Sequence, residues 1–192
     1  MNIIAFSHKE VIVSRTFVRA ALVVSFVALT ALGAYVRIPL PFSPVPITLQ
    51  TFFVILGGAV LGKKFGSFAQ ASYLGLGLLG MPIFQSYGAG LLHIAGPTGG
   101  YLAGFIPASF IVGAVINMRR NSTSFFHIML SMSFGLLFIY ACGIWWLIIG
   151  YKLTFVKALS LGFIPFIPGA ILKLITASWI YSKIRTRTNE IF

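Results

Sequence analysis

The chain has 192 residues, of which 58% are hydrophobic and only 8% are charged, and its formal net charge is +12. A soluble globular domain carries about 25% charged residues, so this composition excludes a soluble domain. It predicts a single integral membrane domain that covers residues 1–192. The Lys and Arg residues fall at the ends of apolar runs, a pattern typical of proteins in a lipid bilayer, and no nucleic-acid partner is indicated. The predicted fold class is therefore an all-α membrane protein.

Six apolar runs, separated by charged residues or by Pro and Gly clusters, predict six transmembrane helices. In chain order they cover approximately residues 17–36, 49–61, 65–79, 101–118, 125–149 and 164–183. The first run has about 20 residues, more than the 7–15 of a signal-peptide core, and so predicts a retained span. The second and third runs are shorter than the roughly 20 residues that cross a bilayer, so we expect them to tilt or to extend into loops.

The basic residues predict the orientation of these spans. With an even number of spans, ten Lys and Arg fall on the side of both termini and three on the other side, with Lys173 inside the last span. Because Lys and Arg concentrate on the cytoplasmic side, both termini are predicted to be cytoplasmic. The ten are Lys9, Arg15, Arg19, Lys63, Lys64, Arg119, Arg120, Lys183, Arg185 and Arg187, and the three are Arg37, Lys152 and Lys157.

Three connections predicted on the outer side differ from the brief charged turns on the cytoplasmic side. They cover residues 37–48, 80–100 and 151–163, and the first two are rich in Pro and Gly. Loops on a rigid scaffold commonly carry binding residues, and proline stiffens the first loop by fixing φ. We therefore expect these loops to shape and cover a ligand pocket.

Lys173 is the strongest candidate for a ligand contact. It lies within the otherwise apolar run 163–181, where an ammonium group is costly unless it meets water, a partner or an anionic ligand. The only acidic residues of the chain are Glu10 and Glu190, near the two termini. We therefore predict that Lys173 binds the carboxylate of a substrate. The alternative is a lysine that snorkels to the nearer membrane surface.

Other polar groups near the outer face are further candidates for ligand contacts. In the segment 96–101, GPTGGY, free N–H groups at a helix start favour an anion or a ligand carbonyl, although a tight turn explains the same residues equally well. Arg37 is a second candidate for a carboxylate, with interfacial anchoring as the alternative. The complete set of predicted substrate contacts is Lys173, Gln50, Thr98, Gly99, Gly100, Tyr101, Gln85, Tyr87, His93 and Arg37.

The sequence predicts neither catalysis nor a metal site. It contains no paired carboxylates, no acid to orient a histidine behind a serine, no Walker sequence and no metal-ligand spacing among His, Cys and acidic residues. An ion-coupled carrier usually needs an intramembrane carboxylate, which is also missing. We therefore predict a binding protein that is not an enzyme, has no cofactor of its own and receives transport energy from another subunit.

Three segments together resemble a known family. They are residues 37–53 (RIPLPFSPVPITLQTFF), 96–105 (GPTGGYLAGF) and 165–173 (PFIPGAILK). In order and spacing they resemble the BioY family, the biotin-specific substrate-binding (S) components of energy-coupling-factor transporters, over roughly residues 17–185. The resemblance implies a six-helix protein of the bacterial cytoplasmic membrane that captures biotin, or a close analogue, from the outer side. It also implies partners: a transmembrane coupling subunit and two ABC-type ATPases that use ATP.

The chain departs from the family pattern beside Lys173. The family usually has an aspartate three residues before this lysine, where this chain has Ala170, and positions i and i+3 share one helix face. The resemblance implies that the acid contacts the ureido ring of biotin. Its loss predicts weaker binding, compensation by Gln50, Gln85 or Tyr87, or another small carboxylated vitamin or precursor as ligand.

A second departure concerns docking. The resemblance implies that a small-xxx-small pattern on the first helix meets the coupling subunit. Here Ala21, Ser25 and Ala28 are the candidates, and Val24 occupies the position of one family alanine.

The functional alternative from a different class is a membrane assembly protein without a small ligand.

Overall fold

A computed structural model describes residues 3–4, 13–118 and 124–191 of the chain. Within these residues the α-helices are α1 Arg15–Tyr35, α2 Gln50–Leu78, α3 Gly90–Ile94, α4 Gly99–Asn117, α5 Phe125–Tyr151, α6 Phe155–Gly162 and α7 Ile167–Ile191. Short 3-10 turns cover Gln85–Tyr87 and Ile164–Phe166. Two antiparallel strand pairs complete the described elements: β1 Ile3–Ile4 with β2 Val13–Ser14, and β3 Arg37–Ile38 with β4 Ile47–Thr48.

Five helical segments of the described chain are long and apolar enough to cross a membrane. They are Arg15–Tyr35, Gln50–Leu78, Gly99–Asn117, Phe125–Tyr151 and Phe155–Thr186. The chain is therefore a multi-pass helical membrane protein. The number differs from the six predicted runs because the second and third runs both lie in α2.

The helix α2 reverses direction at Gly62. Gly62 has φ +72° and ψ 177°, a conformation that is essentially restricted to glycine and that interrupts the helix. The side-chain nitrogen Nε2 of Gln50 lies 2.7 Å from the hydroxyl oxygen of Tyr73. In a straight helix, 23 residues at 1.5 Å each would separate these positions by about 34 Å. Thus α2 is a helical hairpin with a first arm of residues 50–61 and a second arm of residues 63–78.

Small residues allow the hairpin to approach α4 closely. A Cβ atom on Gly58 would lie 2.6 Å from the backbone oxygen of Ser109, and one on Gly66 would lie 3.0 Å from the Cα atom of Gly58. Apolar side chains gain little by leaving lipid, so membrane helices associate through such backbone contacts. The two arms and α4 therefore form the centre of the bundle, where Val54, Tyr73 and other side chains are fully buried.

The described basic residues lie near helix ends, apart from Lys173. Arg15 and Arg19 are in the first turns of α1, Lys63 and Lys64 follow the reversal of α2, and Lys183 is in the second half of α7. Lys9, Arg119 and Arg120 lie outside the described residues, as does the side chain of Arg187.

We expect Gly58→Ala to lower the melting temperature of the purified protein in detergent, because the added methyl group would meet the backbone of Ser109 on α4. Overpacking of this kind costs about 1–3 kcal/mol. Gly75→Ala is the matched control, since a Cβ atom there meets nothing within 4 Å and alanine favours the helix. Equal melting temperatures for the two variants would contradict the tight contact between α2 and α4.

Candidate ligand-binding site

A cavity of about 480 Å³, counting its open mouth, lies at the end of the bundle where α2 and α4 begin. Its apolar or aromatic lining is Val45, Pro46, Leu102, Phe105, Tyr140 and Phe166, together with the ring of Tyr101. Its polar lining is Thr48, Gln50, Thr51, Gln85, His93, Thr98 and Lys173. One ligand can therefore meet both an apolar wall and several hydrogen-bonding groups.

The proline-rich loop of residues 39–46, between β3 and β4, is anchored beside this cavity. The hydroxyl of Ser43 donates to the backbone oxygen of Leu161 in α6 over 2.7 Å. After the loop, the backbone N–H of Leu49 donates to the backbone oxygen of Gly33 in α1 over 3.0 Å. These contacts hold Val45, which is only 4% exposed, against the cavity. The proline-rich loop is thus a wall of the site, as its stiffness suggested.

Aromatic side chains form much of the opposite wall. The ring centroid of Tyr140 in α5 lies 6.0 Å from that of Phe166 and 6.3 Å from that of Tyr101. The hydroxyl of Tyr101 donates to the backbone oxygen of Gly162 over 2.8 Å, so this phenol already has a partner. The wall is therefore mainly apolar, which suits an alkyl chain or an apolar ring.

The Lys173 ammonium meets two neutral oxygen atoms at the start of α2. Its Nζ donates to the backbone oxygen of Thr48 over 2.5 Å and to the hydroxyl of Thr51 over 3.1 Å. An ammonium group has three N–H donors, so one remains after these two contacts. Neither oxygen carries a formal charge. The two hydrogen bonds therefore hold the ammonium group in place without neutralising its positive charge.

Polar side chains from three parts of the fold are linked in pairs around the cavity. Thr48 donates to Oε1 of Gln50 over 3.1 Å, while Nε2 of Gln50 donates to the hydroxyl of Tyr73 over 2.7 Å. Nε2 of Gln85 donates to the hydroxyl of Thr98 over 3.3 Å. An amide NH₂ carries two donors, so each glutamine retains one for a ligand.

His93, in α3, carries a buried nitrogen without a hydrogen-bond partner among the described residues. Its Nε2 atom has no donor or acceptor contact, although the side chain lines the cavity. The imidazole stacks on Phe84 with a centroid separation of 5.1 Å and an interplanar angle of 18°. Burial lowers the pKa of His93 because the charged form loses solvation. The neutral ring is thus held in one orientation beside the cavity.

The two glycines predicted as ligand contacts, Gly99 and Gly100, are closely packed against neighbouring elements. A Cβ atom on Gly99 would collide with the backbone oxygen of Ile94, and one on Gly100 would collide with Trp146 of α5. Trp146 also donates from Nε1 to the backbone oxygen of Gly96 over 2.9 Å. The structure favours the tight-turn interpretation for these glycines, whereas the neighbouring Thr98 and Tyr101 do line the cavity.

Tyr87 and Arg37 lie outside the cavity lining. Tyr87 is 73% exposed, and its ring lies 4.9 Å from that of Tyr35. The guanidinium of Arg37 donates to the hydroxyl of Ser86. The two loops therefore contact each other through these side chains, beside the mouth. Of the ten predicted contacts, the structure brings together Lys173, Gln50, Thr98, Tyr101, Gln85 and His93.

Ala170 is not among the residues that line the cavity with Lys173, although their spacing predicted that both side chains would face one pocket. Ala170 lines an adjoining apolar groove with Leu137, Ile171 and other side chains. Tyr140 lines both the groove and the cavity, so the two adjoin at this side chain. Positions i and i+3 differ by about 60° around a helix, so residues at this spacing can line different surfaces.

Thr48 and Thr51 are contacts of Lys173 that the sequence analysis missed. Threonines at a loop-to-helix junction are common, and nothing in the sequence indicates that a lysine more than 120 residues later reaches them. Their proximity to Gln50 was the available signal.

No group of three or more His, Cys, Asp or Glu residues able to hold a metal ion exists in the described part of the chain.

Comparison with known proteins gives a consistent result. A family model described as "BioY family" matches residues 7–190. The "Biotin transporter BioY" of Thermotoga maritima is 42% identical over 160 residues, which cover 83% of this chain and 91% of that protein. The "Probable biotin transporter BioY" of Pyrococcus horikoshii is also 42% identical, over 88% of this chain and 96% of that protein.

A solved structure is similar as well. It is described as the S-component for biotin from an ECF-type ABC transporter, and it matches with a TM-score of 0.84 and 26% sequence identity. The match covers 90% of this chain and 93% of the other chain. The similarity therefore extends over most of the chain.

We expect acid to destabilise the protein through His93. Because burial lowers the pKa of His93, the folded state resists protonation, whereas the unfolded chain binds a proton near pH 6.5. The His93 contribution to stability is therefore present above about pH 6.5 and is lost as the pH falls below it. Melting temperatures measured between about pH 7.5 and pH 5 should fall further for the wild type than for His93→Gln.

His127→Gln is the matched control for this measurement. A ring nitrogen of His127 lies 3.1 Å from the backbone oxygen of Val115 and so already has a partner. Because His127→Gln retains His93, its melting temperature should fall further than that of His93→Gln over the same pH range. Parallel curves for the wild type and His93→Gln would contradict a buried neutral imidazole.

Proposed function

The chain belongs to the BioY family, and from that premise we propose that it is the biotin-binding S component of an energy-coupling-factor transporter. The observation that carries the proposal is the Lys173 ammonium, held by two neutral oxygens with one donor left at a largely apolar cavity. Biotin carries a carboxylate on an alkyl chain and a fused ring system with a polar ureido group. Its chemistry therefore matches the two kinds of lining.

We assign the parts of biotin to the lining residues by their chemistry. The carboxylate takes the free donor of Lys173, a charge-assisted hydrogen bond worth about 1.5–3 kcal/mol. The alkyl chain and the sulfur-containing ring lie against Tyr140 and Phe166. The ureido group, which both donates and accepts hydrogen bonds, meets the remaining polar groups, Gln85, His93 and Thr98.

Ala170 does not count against biotin in this arrangement. Its side chain lines the adjoining groove rather than the cavity, so the missing acid leaves no unfilled position among the polar residues of the cavity. Gln85 and His93 supply hydrogen-bonding groups on that side. We propose biotin as the ligand, and a close carboxylated analogue remains the second candidate because Ala170 departs from the family pattern.

The reversal at Gly62 supports a topology with six membrane crossings. At 1.5 Å per residue the two arms of α2 are about 18 Å and about 24 Å long, so each is a short crossing of a hydrocarbon core about 30 Å thick. If each arm of α2 counts as one crossing, Lys63 and Lys64 lie on the same side of the membrane as Arg15 and Arg19. By the positive-inside rule, both termini are then cytoplasmic and the cavity opens outward from the bacterial cytoplasmic membrane.

We further propose that partner subunits supply the energy for transport. The chain itself has no nucleotide-binding sequence, and so a coupling subunit and ABC-type ATPases would use the ATP. The docking face is the exposed stripe on α1 that contains Ala21, Ser25 and Ala28. Larger exposed side chains, Val24 and Leu32, adjoin this stripe. Small residues permit the close helix approach on which membrane association depends.

Lys173→Ala should weaken biotin binding by about tenfold to a hundredfold, because one charge-assisted hydrogen bond is lost. Equilibrium binding of radiolabelled biotin to the detergent-purified protein measures this directly. Lys183→Ala is the matched control, since Lys183 is an exposed residue of the same helix outside the cavity. A folded wild-type protein that does not bind biotin would overturn the assignment of this ligand.

Ala28→Leu should reduce biotin uptake in cells while leaving biotin binding by the purified protein unchanged. The larger side chain would hold α1 away from a coupling subunit without touching the cavity. Ala71→Leu makes the same chemical change at an exposed position on the second arm of α2. If the two variants transport equally well, the small-residue stripe of α1 is not the docking face.

A further inference from the structure

Two side chains outside the ligand cavity hold the loop between α2 and α3. The hydroxyl of Tyr35, the last residue of α1, donates to the backbone oxygen of Pro82 over 2.6 Å. The ring of Tyr35 also lies 4.9 Å from that of Tyr87, measured between centroids. The guanidinium of Arg37, in β3, donates to the hydroxyl of Ser86. The end of α1 and the strand that follows it therefore contact this loop at three residues.

The loop contains a strained turn at two of these residues. Ser86 has φ 59° and ψ 30°, and Tyr87 has φ 58°. The backbone N–H of Gly88 donates to the backbone oxygen of Gln85 over 3.1 Å, which closes a turn of type I′. Its two central positions are usually Gly, Asn or Asp, because a larger side chain crowds the backbone in the left-handed conformation. Serine and tyrosine keep this conformation only where surrounding contacts support it, and the contacts from α1 and β3 do so.

The strained turn sets the position of Gln85. On the preceding side, Phe84 is fully buried and its ring centroid lies 5.5 Å from that of Tyr73. Gly77 leaves room for Phe84, since a Cβ atom on Gly77 would collide with the phenyl ring. Gln85 therefore lies between a buried anchor and the left-handed pair. From this position its Nε2 donates to the hydroxyl of Thr98 over 3.3 Å, and both side chains line the cavity.

We propose that Tyr35 and Arg37 are positioning residues for the ligand, because they hold the strained turn and thereby keep the Gln85 amide at the cavity. The inference rests on the proposed function, in which Gln85 meets the ureido group of biotin. Arg37 thus contributes to affinity without touching the ligand. This role differs from the direct carboxylate contact that the sequence predicted for Arg37.

A double-mutant cycle on equilibrium binding of radiolabelled biotin separates the two roles of Arg37. Gln85→Ala and Arg37→Ala should each weaken binding by roughly threefold to tenfold, the value of one neutral hydrogen bond. If Arg37 acts through Gln85, the double variant should bind no more weakly than Gln85→Ala alone. Losses that multiply in the double variant would show that Arg37 acts on the ligand independently, and the positioning role would be wrong.

A second substitution tests whether backbone strain is the link. Glycine adopts the left-handed conformation without a steric cost, so the turn should need less support when Ser86 is replaced by glycine. Ser86→Gly introduced into Arg37→Ala should therefore recover most of the lost affinity for biotin. Failure to recover any affinity would contradict the proposal.

Hydrogen–deuterium exchange of the detergent-purified protein tests the contact without a ligand. The backbone N–H groups of Phe84 and Gly88 are hydrogen-bonded within the turn, over 3.0 Å and 3.1 Å. A peptide that covers both should take up deuterium faster in Arg37→Ala and in Tyr35→Ala than in the wild type. Equal uptake in all three proteins would overturn the positioning role, whereas a wild type that binds no biotin would overturn the proposed function.

Lys157→Ala is the matched control for Arg37→Ala. Lys157 is an exposed basic residue of α6 that does not line the cavity. This variant should keep the biotin affinity and the deuterium uptake of the wild type. A loss of affinity equal to that of Arg37→Ala would indicate a general effect of charge and would overturn the proposal.

Discussion

The ligand cavity is organised around the partly buried ammonium of Lys173. A cation inside an apolar bundle needs oxygen atoms, and none of the described neighbours offers a carboxylate. The backbone of Thr48 and the hydroxyl of Thr51 supply those oxygens beside the start of α2. This contact joins the last helix to the end of the proline-rich loop. It leaves the positive charge without a described carboxylate partner, as an anionic ligand would require.

The reversal of α2 makes this arrangement possible. Gly62 adopts a conformation that other residues avoid, and the chain returns beside itself so that Gln50 meets Tyr73. Glycines at the contact with α4 then allow the backbones to touch. The hairpin supplies Gln50 and Thr51 to the lining of the cavity, and the Gln50–Tyr73 pair joins its two arms.

The chemistry of the cavity is uneven. A single partly buried cation, Lys173, lines it together with aromatic rings and neutral hydrogen-bonding groups. Such a lining is suited to a small molecule with one carboxylate and an apolar body.

The sequence by itself determined the helical membrane class and the apolar runs, and it predicted Lys173 and most of the other polar residues that line the cavity. The membrane class follows from hydropathy, and the choice of Lys173 follows from a charge in an apolar run without a nearby acid. Only the tertiary structure decided that Ala170 lines an adjoining groove, that Gly99 and Gly100 are closely packed, and that Arg37 lies outside the cavity. Such facts depend on rotations of about 60° around a helix and on contacts between residues far apart in the chain, which hydropathy does not encode.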